Sequence, residues 1–265
     1  MITAGVDAGS RAIKVVLFDA QAGRTLACNL ADQVTDQAAQ ARKLFEQTAS
    51  DAGLAAGDVA FVLATGYARH ILPFAHKAVT EITCHARGVR ELAPATRTII
   101  EIGGQDSKVI RLDEHGRVED FTMNDRCAAG TGCFLELVAR RLQVDLDQLG
   151  AMASRAAEPA AISSMCAVFA ETEIVGLLAS GQSPDAIAAG VQQAIARRVT
   201  AMAGPRLAPP IVFTGGVARD AGMTAALHRT LGEAVHVPDA PQFTGALGAA
   251  LLAVERLSES RASKP

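Results

Sequence analysis

One thirteen-residue pattern occurs twice in this chain and constrains its fold more than any other feature. The segments DAGSRAIKVVLFD (residues 7–19) and EIGGQDSKVIRLD (residues 101–113) lie 94 positions apart. In this register an acid, a glycine, a lysine, a valine and a final aspartate recur. Each copy is typical of an apolar strand, a tight turn of small residues and a second strand rich in β-branched residues. Because coincidence would have to occur twice, the repeat predicts an α/β chain with two similar halves.

Each repeat has the composition of a phosphate-binding hairpin. Glycine lets backbone N–H groups approach an anion closely, and the two turns contain Gly9, Gly103 and Gly104. Lys14 adds a point charge, and the carboxylates of Asp7 and Glu101 suit Mg²⁺, directly or through water. The alternative is a pair of ordinary β-hairpins with glycine at the turns. An acid just before each turn favours phosphate binding, because a scaffold hairpin does not need one.

A third glycine site follows near the end of the sequence. The segment IVFTGGVA (residues 211–218) predicts a short strand, a turn at Gly215 and Gly216, and a helix to about Leu231. Such a junction can press its backbone against a flat base or a phosphate, although an ordinary turn explains it equally well. The closing helix opens on TGALGAA (residues 244–250), whose small residues suit close helix packing.

Two cysteines, Cys127 and Cys166, each stand where a predicted loop leads into a predicted helix. The positive end of a helix favours a thiolate over a thiol. Two thiolates are half of the four-ligand set of a zinc or iron–sulfur site. The alternative is that both are small buried residues. Cys28 and Cys84 are predicted to be structural, and the six histidines show no paired metal-ligand spacing.

Composition excludes several classes of function. The chain has 25 Lys and Arg against 28 Asp and Glu, which leaves no basic field for nucleic acid or an anionic membrane. No apolar run approaches the ~20 residues that span a bilayer, and Asp7 comes too early for a secretory signal. We therefore expect a cytoplasmic protein, in which five cysteines, an odd number, suit metal or redox chemistry better than disulfides.

The three glycine sites, in this order, resemble the phosphate-1, phosphate-2 and adenosine segments of the acetate/sugar kinase–Hsp70–actin superfamily. The cysteine segments resemble a narrower group, the ATP-dependent activators of 2-hydroxyacyl-CoA dehydratases and the nucleotide-binding subunits of benzoyl-CoA reductases. The resemblance covers about residues 3–257, nearly the whole chain. It rests on the motifs NDRCAAGTG (124–132), EIGGQD (101–106), SSMCAVFAE (163–171), ATGYAR (64–69) and EITCHA (81–86).

The resemblance implies a duplicated ribonuclease H-like fold of the actin/Hsp70 type, with a nucleotide cleft between the halves. Residues 1–94, completed by residues 244–257, are expected to form the first half. Residues 95–243 are expected to form the second half and to carry the cluster cysteines. Residues 258–265 are predicted to be a flexible tail.

The resemblance also implies an activity and its partners. The active unit would be a homodimer, or a pseudo-symmetric heterodimer with a similar subunit, that shares one [4Fe-4S] cluster. Each subunit would contribute two thiolates, by motif position Cys127 and Cys166. Hydrolysis of ATP to ADP with Mg²⁺ would drive an electron at low potential to a dehydratase or reductase component acting on a CoA thioester. A ferredoxin or flavodoxin would supply the electron.

By motif position, the resemblance assigns Glu101, Gln105 and Asp106 to catalysis, with Gln105 or Asp106 orienting the attacking water. Residues of all three glycine sites would hold the nucleotide: Asp7, Gly9, Ser10, Arg11, Lys14, Gly103, Gly104, Gln105, Gly215 and Gly216. The alternative for Gln105 and Asp106 is a turn-forming role. Two residues depart from the expected pattern. Arg11 stands where a small hydroxyl residue is common. Cys133 stands where Arg or Gln is expected, and is either a spare ligand or a packing residue.

Two other functions remain open at this point. A small-molecule kinase of the same superfamily would need a carboxylate as general base and a pocket for the acceptor. A non-catalytic ATP-dependent switch would use the cysteines for a structural metal.

Overall fold

The computed structural model describes residues 1–164, 166–204 and 207–262, which divide into two units. Unit 1 contains Met1–Ala95, His115–Val118 and the chain from Gln242 onward. Unit 2 contains Thr96–Glu114 and Glu119–Pro241. Throughout the described ranges, every helix is too short or too polar to cross a membrane.

Unit 1 begins with three strands in succession and continues with alternating helices and strands. In chain order these are β1 (Ile2–Ala8), β2 (Ala12–Asp19), β3 (Arg24–Asp32), α1 (Gln37–Asp51), β4 (Val59–Thr65), β5 (Lys77–Ala78) and α2 (Glu81–Leu92). Strand β1 pairs with β2 in the antiparallel sense and with β4 in the parallel sense. The sheet order is therefore β3-β2-β1-β4-β5.

Unit 2 is built around a second sheet of the same kind. Its elements are β6 (Thr98–Ile102), β7 (Ser107–Leu112), β8 (Val118–Asn124), α3 (Gly132–Leu142), α4 (Gln148–Arg155), α5 (Ala167–Ala179), α6 (Pro184–Ala203), β9 (Ile211–Thr214), α7 (Ala221–Leu231) and β10 (Val235–His236). A last helix, α8 (Thr244–Ala262), belongs to unit 1. The sheet order β8-β7-β6-β9-β10 matches that of unit 1 strand for strand, which confirms the predicted duplicated α/β fold.

The sequence repeat corresponds to the antiparallel hairpin at the centre of each sheet. In unit 1, Asp7 on β1 is paired with Lys14 on β2. In unit 2, Glu101 on β6 is paired with Lys108 on β7. Both acids therefore occupy the same position in their sheets, beside a cross-strand lysine.

The sheet of unit 1 is covered on both faces, because alternate residues of a strand point to opposite sides. Ile13, Val15 and Leu17 of β2 pack with Phe45 of α1 in one buried cluster. On the other face, residues of β2 pack against α8 in a second cluster that includes Val16, Phe18, Ala246, Leu247 and Leu251.

The core of unit 2 is a single larger cluster. It joins Ile100 and Ile102 of β6 to Phe134 of α3 and to Ile187 and Ile195 of α6. Helix α6 is rich in alanine, and its small residues are buried along most of its length. Helices α3 and α5, which follow the cysteine segments, therefore share one buried cluster with the strand that carries Glu101.

Helices α2 and α8 cross at very short distance. A Cβ atom on Gly88 would collide with the carbonyl oxygen of Thr244, and one on Gly248 would collide with that of Cys84. This agrees with the packing role predicted for the small residues of the 244–250 segment.

Helix α8 extends further than the sequence suggested. It continues to Ala262, through residues that had been assigned to the flexible tail, while residues 263–265 lie outside the described part of the chain. The extra turns are supported by an ion pair between Arg256 and Glu259 at 2.9 Å and by the Ser258 hydroxyl, which donates to the carbonyl of Val254.

Candidate functional site

The carboxylate of Asp7 lies buried beside the turn that joins β1 and β2. Lys14 Nζ lies 3.6 Å from Asp7 Oδ2 across the hairpin. On the other side, Gly66 follows the parallel strand β4 with φ of +87°, and a Cβ atom there would collide with Asp7 Oδ1. Asp7 is therefore fixed by a cation on one side and by a glycine backbone on the other.

Gln33, to which the sequence analysis assigns no role, contacts the turn that joins β1 and β2. The side-chain amide of Gln33 donates to the carbonyl of Gly9 at 2.8 Å, and the Gln33 backbone N–H donates to the carbonyl of Arg11 at 2.9 Å. Ser10 is half-buried and Arg11 is exposed. A Cβ atom on Gly9 would lie 2.9 Å from the carbonyl oxygen of Ala12 and 3.3 Å from Lys14 Nζ, so the ammonium group lies close to this glycine.

Helix α8 begins next to Asp7. A Cβ atom on Gly245 would lie 3.4 Å from Asp7 Oδ2 and 3.2 Å from His85 Nε2. The other ring nitrogen of His85 lies 3.0 Å from the hydroxyl of Thr244. His85 is thus a buried residue close to the acid, a position that the search for metal-ligand spacing did not reveal.

Unit 2 contains the matching acid, Glu101, in a different charge environment. Lys108 Nζ, which is 2% exposed, lies 2.8 Å from Glu101 Oε2 and 2.7 Å from Asp106 Oδ2. The backbone N–H of Gly103 donates to the carbonyl of Asp106 at 2.9 Å, which closes the turn. Gln105 lies exposed on this turn. Glu101 and Asp106, two predicted catalytic residues, are therefore brought together by a lysine that had no assigned role.

Gly215 lies against the Glu101 carboxylate as Gly66 lies against the Asp7 carboxylate. It follows the parallel strand β9 with φ of +91°, and a Cβ atom there would lie 2.6 Å from Glu101 Oε1. Each acid is therefore paired with a threonine on the neighbouring parallel strand, and a glycine follows that threonine in the sequence. These Thr-Gly pairs are residues 65–66 beside Asp7 and residues 214–215 beside Glu101. By contrast, a Cβ atom on Gly216 would meet no atom within 4 Å. The contact with Glu101 therefore explains why residue 215 is a glycine, separately from its predicted role in nucleotide binding.

The second turn is joined directly to the start of α3. The backbone N–H of Gly132 donates to the carbonyl of Gly103 at 2.9 Å, and that of Cys133 donates to the carbonyl of Gly104 at 2.8 Å. The first amides of a helix have no partner within it. Here the turn residues supply those partners, so the position of α3 depends on the shape of the turn.

Cys127 is exposed and precedes a three-residue 3₁₀ turn, Ala128–Gly130. The sequence predicted that this cysteine leads into a helix, but α3 begins only at Gly132, so the helix-dipole argument does not apply to it. Instead the loop is held by Asn124, whose side-chain amide donates to the Cys127 carbonyl at 2.8 Å. The Cys127 N–H donates in return to Asn124 Oδ1 at 3.0 Å.

Cys166 is exposed and caps α5, as the sequence predicted. The loop before it is bound by Glu173, which accepts hydrogen bonds from the backbone N–H groups of Ser163 and Ser164 and from the Ser163 hydroxyl at 2.7–2.9 Å. Burial alone would raise the pKa of Glu173, but these hydrogen bonds outweigh it and lower the pKa to about 2. Met165 lies outside the described residues.

One side chain of α6 connects the two cysteine loops. The guanidinium of Arg198 donates to the carbonyl of Ser164 at 2.6 Å and to that of Ala129 at 3.4 Å. Each acceptor lies two residues from a candidate ligand, Cys166 and Cys127 respectively. Sequence reasoning missed Arg198 because nothing local to residue 198 indicates which loops it reaches.

The other cysteines differ from this pair. Burial raises the pKa of the Cys84 thiol to about 12, which suits the predicted structural role. Cys28 lies exposed on β3, and Cys133 is half-buried in the first turn of α3. Across the described part of the chain, no group of three or more His, Cys, Asp or Glu side chains is arranged to hold a metal ion.

Residues 4–253 of this chain match the family model for the BadF/BadG/BcrA/BcrD ATPases. The chain belongs to the BadF/BadG/BcrA/BcrD ATPase family. It is 41% identical to the 2-hydroxyisocaproyl-CoA dehydratase activator of Clostridioides difficile, covering 98% of each chain. It is 35% identical to one of the benzoyl-CoA reductase subunits of Thauera aromatica, covering 94% of this chain and 92% of that one. The resemblance drawn from the cysteine motifs is therefore confirmed.

Two solved structures share the fold of this chain. The activator of the 2-hydroxyisocaproyl-CoA dehydratase from Clostridium difficile with bound ADPNP has a TM-score of 0.94 at 40% identity, covering 100% of this chain and 98% of that chain. A glucokinase of the ROK family from Streptomyces griseus has a TM-score of 0.56 at 14% identity, covering 96% and 100%. That level of identity shows a shared fold alone, so the kinase alternative gains no functional support from it.

Proposed function

We propose that this protein is an ATP-hydrolysing iron–sulfur activator that delivers electrons at low potential to a CoA-thioester dehydratase or an aryl-CoA reductase component. The observation that carries the proposal is the backbone connection from Gly103 and Gly104 to the first residues of α3. An activator must couple nucleotide chemistry to its redox centre. This connection joins the Glu101 turn to the helix that follows the Cys127 loop.

The proposed nucleotide chemistry uses both hairpins. Gly9, Ser10, Arg11 and Lys14 contact phosphate oxygens, and Gly215 and Gly216 lie along the base or the ribose. Gln105 or Asp106 orients a water whose oxygen bonds to the γ-phosphorus as the bond to the bridging oxygen breaks, which leaves ADP and phosphate.

Asp7 and Glu101 are the proposed carboxylates for Mg²⁺. They fit this ion because it takes oxygen ligands and keeps several waters, and both acids, though buried, lie beside the turn of their hairpin. The ion supplies charge neutralisation to the phosphates. The residues themselves are fixed for this role by Gly66 and Gly215, which limit the rotation of each carboxylate.

The cysteine pair fits a shared iron–sulfur cluster. Thiolates are the usual ligands, and Cys127 and Cys166 are exposed on loops held by Asn124, Glu173 and Arg198. A [4Fe-4S] cluster takes four thiolates and supplies one-electron redox chemistry. One chain offers two, so a second copy, or a similar subunit, is proposed to supply the others across a two-fold axis.

The surface next to Cys166 supports a subunit interface there. Val168 and Phe169 on the first turn of α5 are 67% and 70% exposed. Large apolar side chains that stand out in this way suit the core of a protein interface. We further propose a cytoplasmic location, since thiolate ligands need a reducing compartment, and a ferredoxin or flavodoxin as electron donor.

Anaerobic purification tests the proposal. We expect a brown protein with about four iron atoms per dimer, an ATPase activity that needs no phosphate acceptor, and ATP-dependent reduction of a dehydratase or reductase component. Cys166→Ser should lose the iron, whereas Cys28→Ser, at an exposed cysteine on β3, should keep it. A colourless protein that phosphorylates a sugar or a carboxylic acid would contradict the proposal.

A further inference from the structure

The two hairpins are built alike but differ in charge at matched positions. Gly9 and Gly103 occupy the same place in the repeat. A Cβ atom on Gly9 would lie 2.9 Å from the carbonyl oxygen of Ala12, 3.3 Å from the ammonium of Lys14 and 3.8 Å from Asp7 Oδ1. A Cβ atom on Gly103 would lie 2.5 Å from Asp106 Oδ1 and 3.4 Å from Glu101 Oε1. The side-chain atom nearest to this position is therefore an ammonium nitrogen in unit 1 and a carboxylate oxygen in unit 2.

The lysines of the two hairpins differ in the same way. Lys14 is 17% exposed, and its ion pair with Asp7 is long, at 3.6 Å. Lys108 is 2% exposed and makes two short contacts with carboxylates, at 2.8 and 2.7 Å. A buried ammonium needs such partners, because leaving it without them in a low-dielectric site is costly. The Nζ atom of Lys108 is thus turned toward protein oxygens.

Two neighbouring positions of the repeat account for the difference in charge. Asp106 occupies the place that Ala12 occupies in the first hairpin, and Gln105 occupies the place of Arg11. From the acid to the lysine, the first hairpin therefore has a formal charge of plus one, from Asp7, Arg11 and Lys14. The second has a formal charge of minus one, since Glu101 and Asp106 share a single lysine.

We propose that Lys108 is a positioning residue that locks Glu101 and Asp106 into one arrangement and never contacts the nucleotide, whereas its counterpart Lys14 binds phosphate. This inference rests on the proposed function, since it divides the work of ATP binding and hydrolysis between the hairpins. Lys14 contributes to the affinity for ATP. Of the pair fixed by Lys108, Asp106 is a residue proposed to orient the attacking water, and a small displacement of that water lowers the rate strongly.

Kinetics separate the two lysines. Lys14→Gln should raise the Kd of a fluorescent ADP analogue about tenfold or more, because a charge-assisted contact is lost. Lys108→Gln should change this Kd by less than about threefold and lower the single-turnover hydrolysis rate at saturating ATP by about tenfold or more. Asp106→Asn, which keeps the side-chain shape should Lys108→Gln fail to fold, is expected to show the same split. A Kd raised as strongly by Lys108→Gln as by Lys14→Gln would overturn the inference.

Chemical labelling tests the inference without measuring hydrolysis. The chain has five lysines, of which Lys43 and Lys77 are exposed internal standards. Under reductive methylation of the native protein, Lys14 should be labelled and should become protected when ADP is added. Lys108 should stay unlabelled in both conditions. Protection of Lys108 that depends on ADP would contradict it. A wild type that binds ADP but does not hydrolyse ATP would instead refute the proposed function.

A substitution that gives the first hairpin the carboxylate of the second tests the same inference in reverse. Ala12→Asp places a carboxylate in the first hairpin where the second hairpin has Asp106. It should occupy Lys14 and weaken binding of the ADP analogue by about tenfold, since the phosphate contact is replaced by an internal ion pair. Ala12→Asn, with the same shape and no charge, should leave the affinity within about threefold of wild type. Equal effects of the two variants would argue against a charge-based division.

Discussion

At the scale of single residues, Gly66 and Gly215 have the same task, because each lies against one buried acid with a positive φ. Gly215→Ala adds a strained backbone angle and pushes the Glu101 carboxylate, so we expect a loss of about 1–3 kcal/mol in the free energy of unfolding together with slower ATP hydrolysis. Urea denaturation and an ATPase assay measure the two effects. Gly216→Ala is the matched control, because its Cβ atom would meet no neighbour within 4 Å.

Glu173 gives the cysteine loop a dependence on pH. Its pKa is lowered from 4.5 to about 2, so its hydrogen bonds to residues 163–164 add stability that is fully present above pH 4.5. That stability is lost as the pH falls toward 2. Urea unfolding of the wild type and of Glu173→Gln should differ most at pH 6–7 and should converge as the pH is lowered below about 4. A difference that is independent of pH would show that the carboxylate charge is not what holds this loop.

At the scale of elements, α6 connects the two cysteine loops through Arg198. Arg198→Met removes both hydrogen bonds, so we expect the iron of the anaerobically purified protein to be lost several times faster to a chelator, with little change in thermal stability. Arg197→Met is the control, since Arg197 lies on the exposed side of the same helix. Loss of iron at the same rate in both variants would exclude a specific role for the Arg198 contacts.

Which elements the sequence could predict depends on how local their signal is. The hairpins were predicted because Asp7 and Lys14, and Glu101 and Lys108, recur at fixed spacing within one segment. The equivalence of Gly66 and Gly215 could not be predicted in this way. Each glycine reaches its acid only because a strand from elsewhere in the chain pairs in parallel beside the strand of that acid.

The two cysteine loops also differ in how local their signal is. The helix after Cys166 follows directly from its apolar pattern. After Cys127, the small residues 128–130 form a 3₁₀ turn that displaces the start of α3 to Gly132. The contacts of Arg198 and Glu173 with these loops are tertiary, and no spacing in the sequence encodes them.

At the scale of the whole molecule, the proposed dimer depends on the apolar first turn of α5. Phe169→Glu places a charge on a surface that should be buried between subunits, so we expect a monomer in anaerobic sedimentation and a protein that no longer retains iron. Leu92→Glu, at an exposed residue of α2 in unit 1, should remain dimeric. A Phe169→Glu variant that stays a dimer with full iron would place the interface elsewhere.

Helix α8 has a consequence for the order in which a nascent chain acquires structure. The strands of unit 1 are synthesised before unit 2, but the helix that covers Val16 and Phe18 is synthesised after it. During translation unit 2 can therefore complete its core while the first sheet still has one bare apolar face. On the ribosome, the first sheet therefore stays incompletely covered until α8 has been synthesised, and until then a chaperone that shields apolar surface would bind the face that contains Val16 and Phe18.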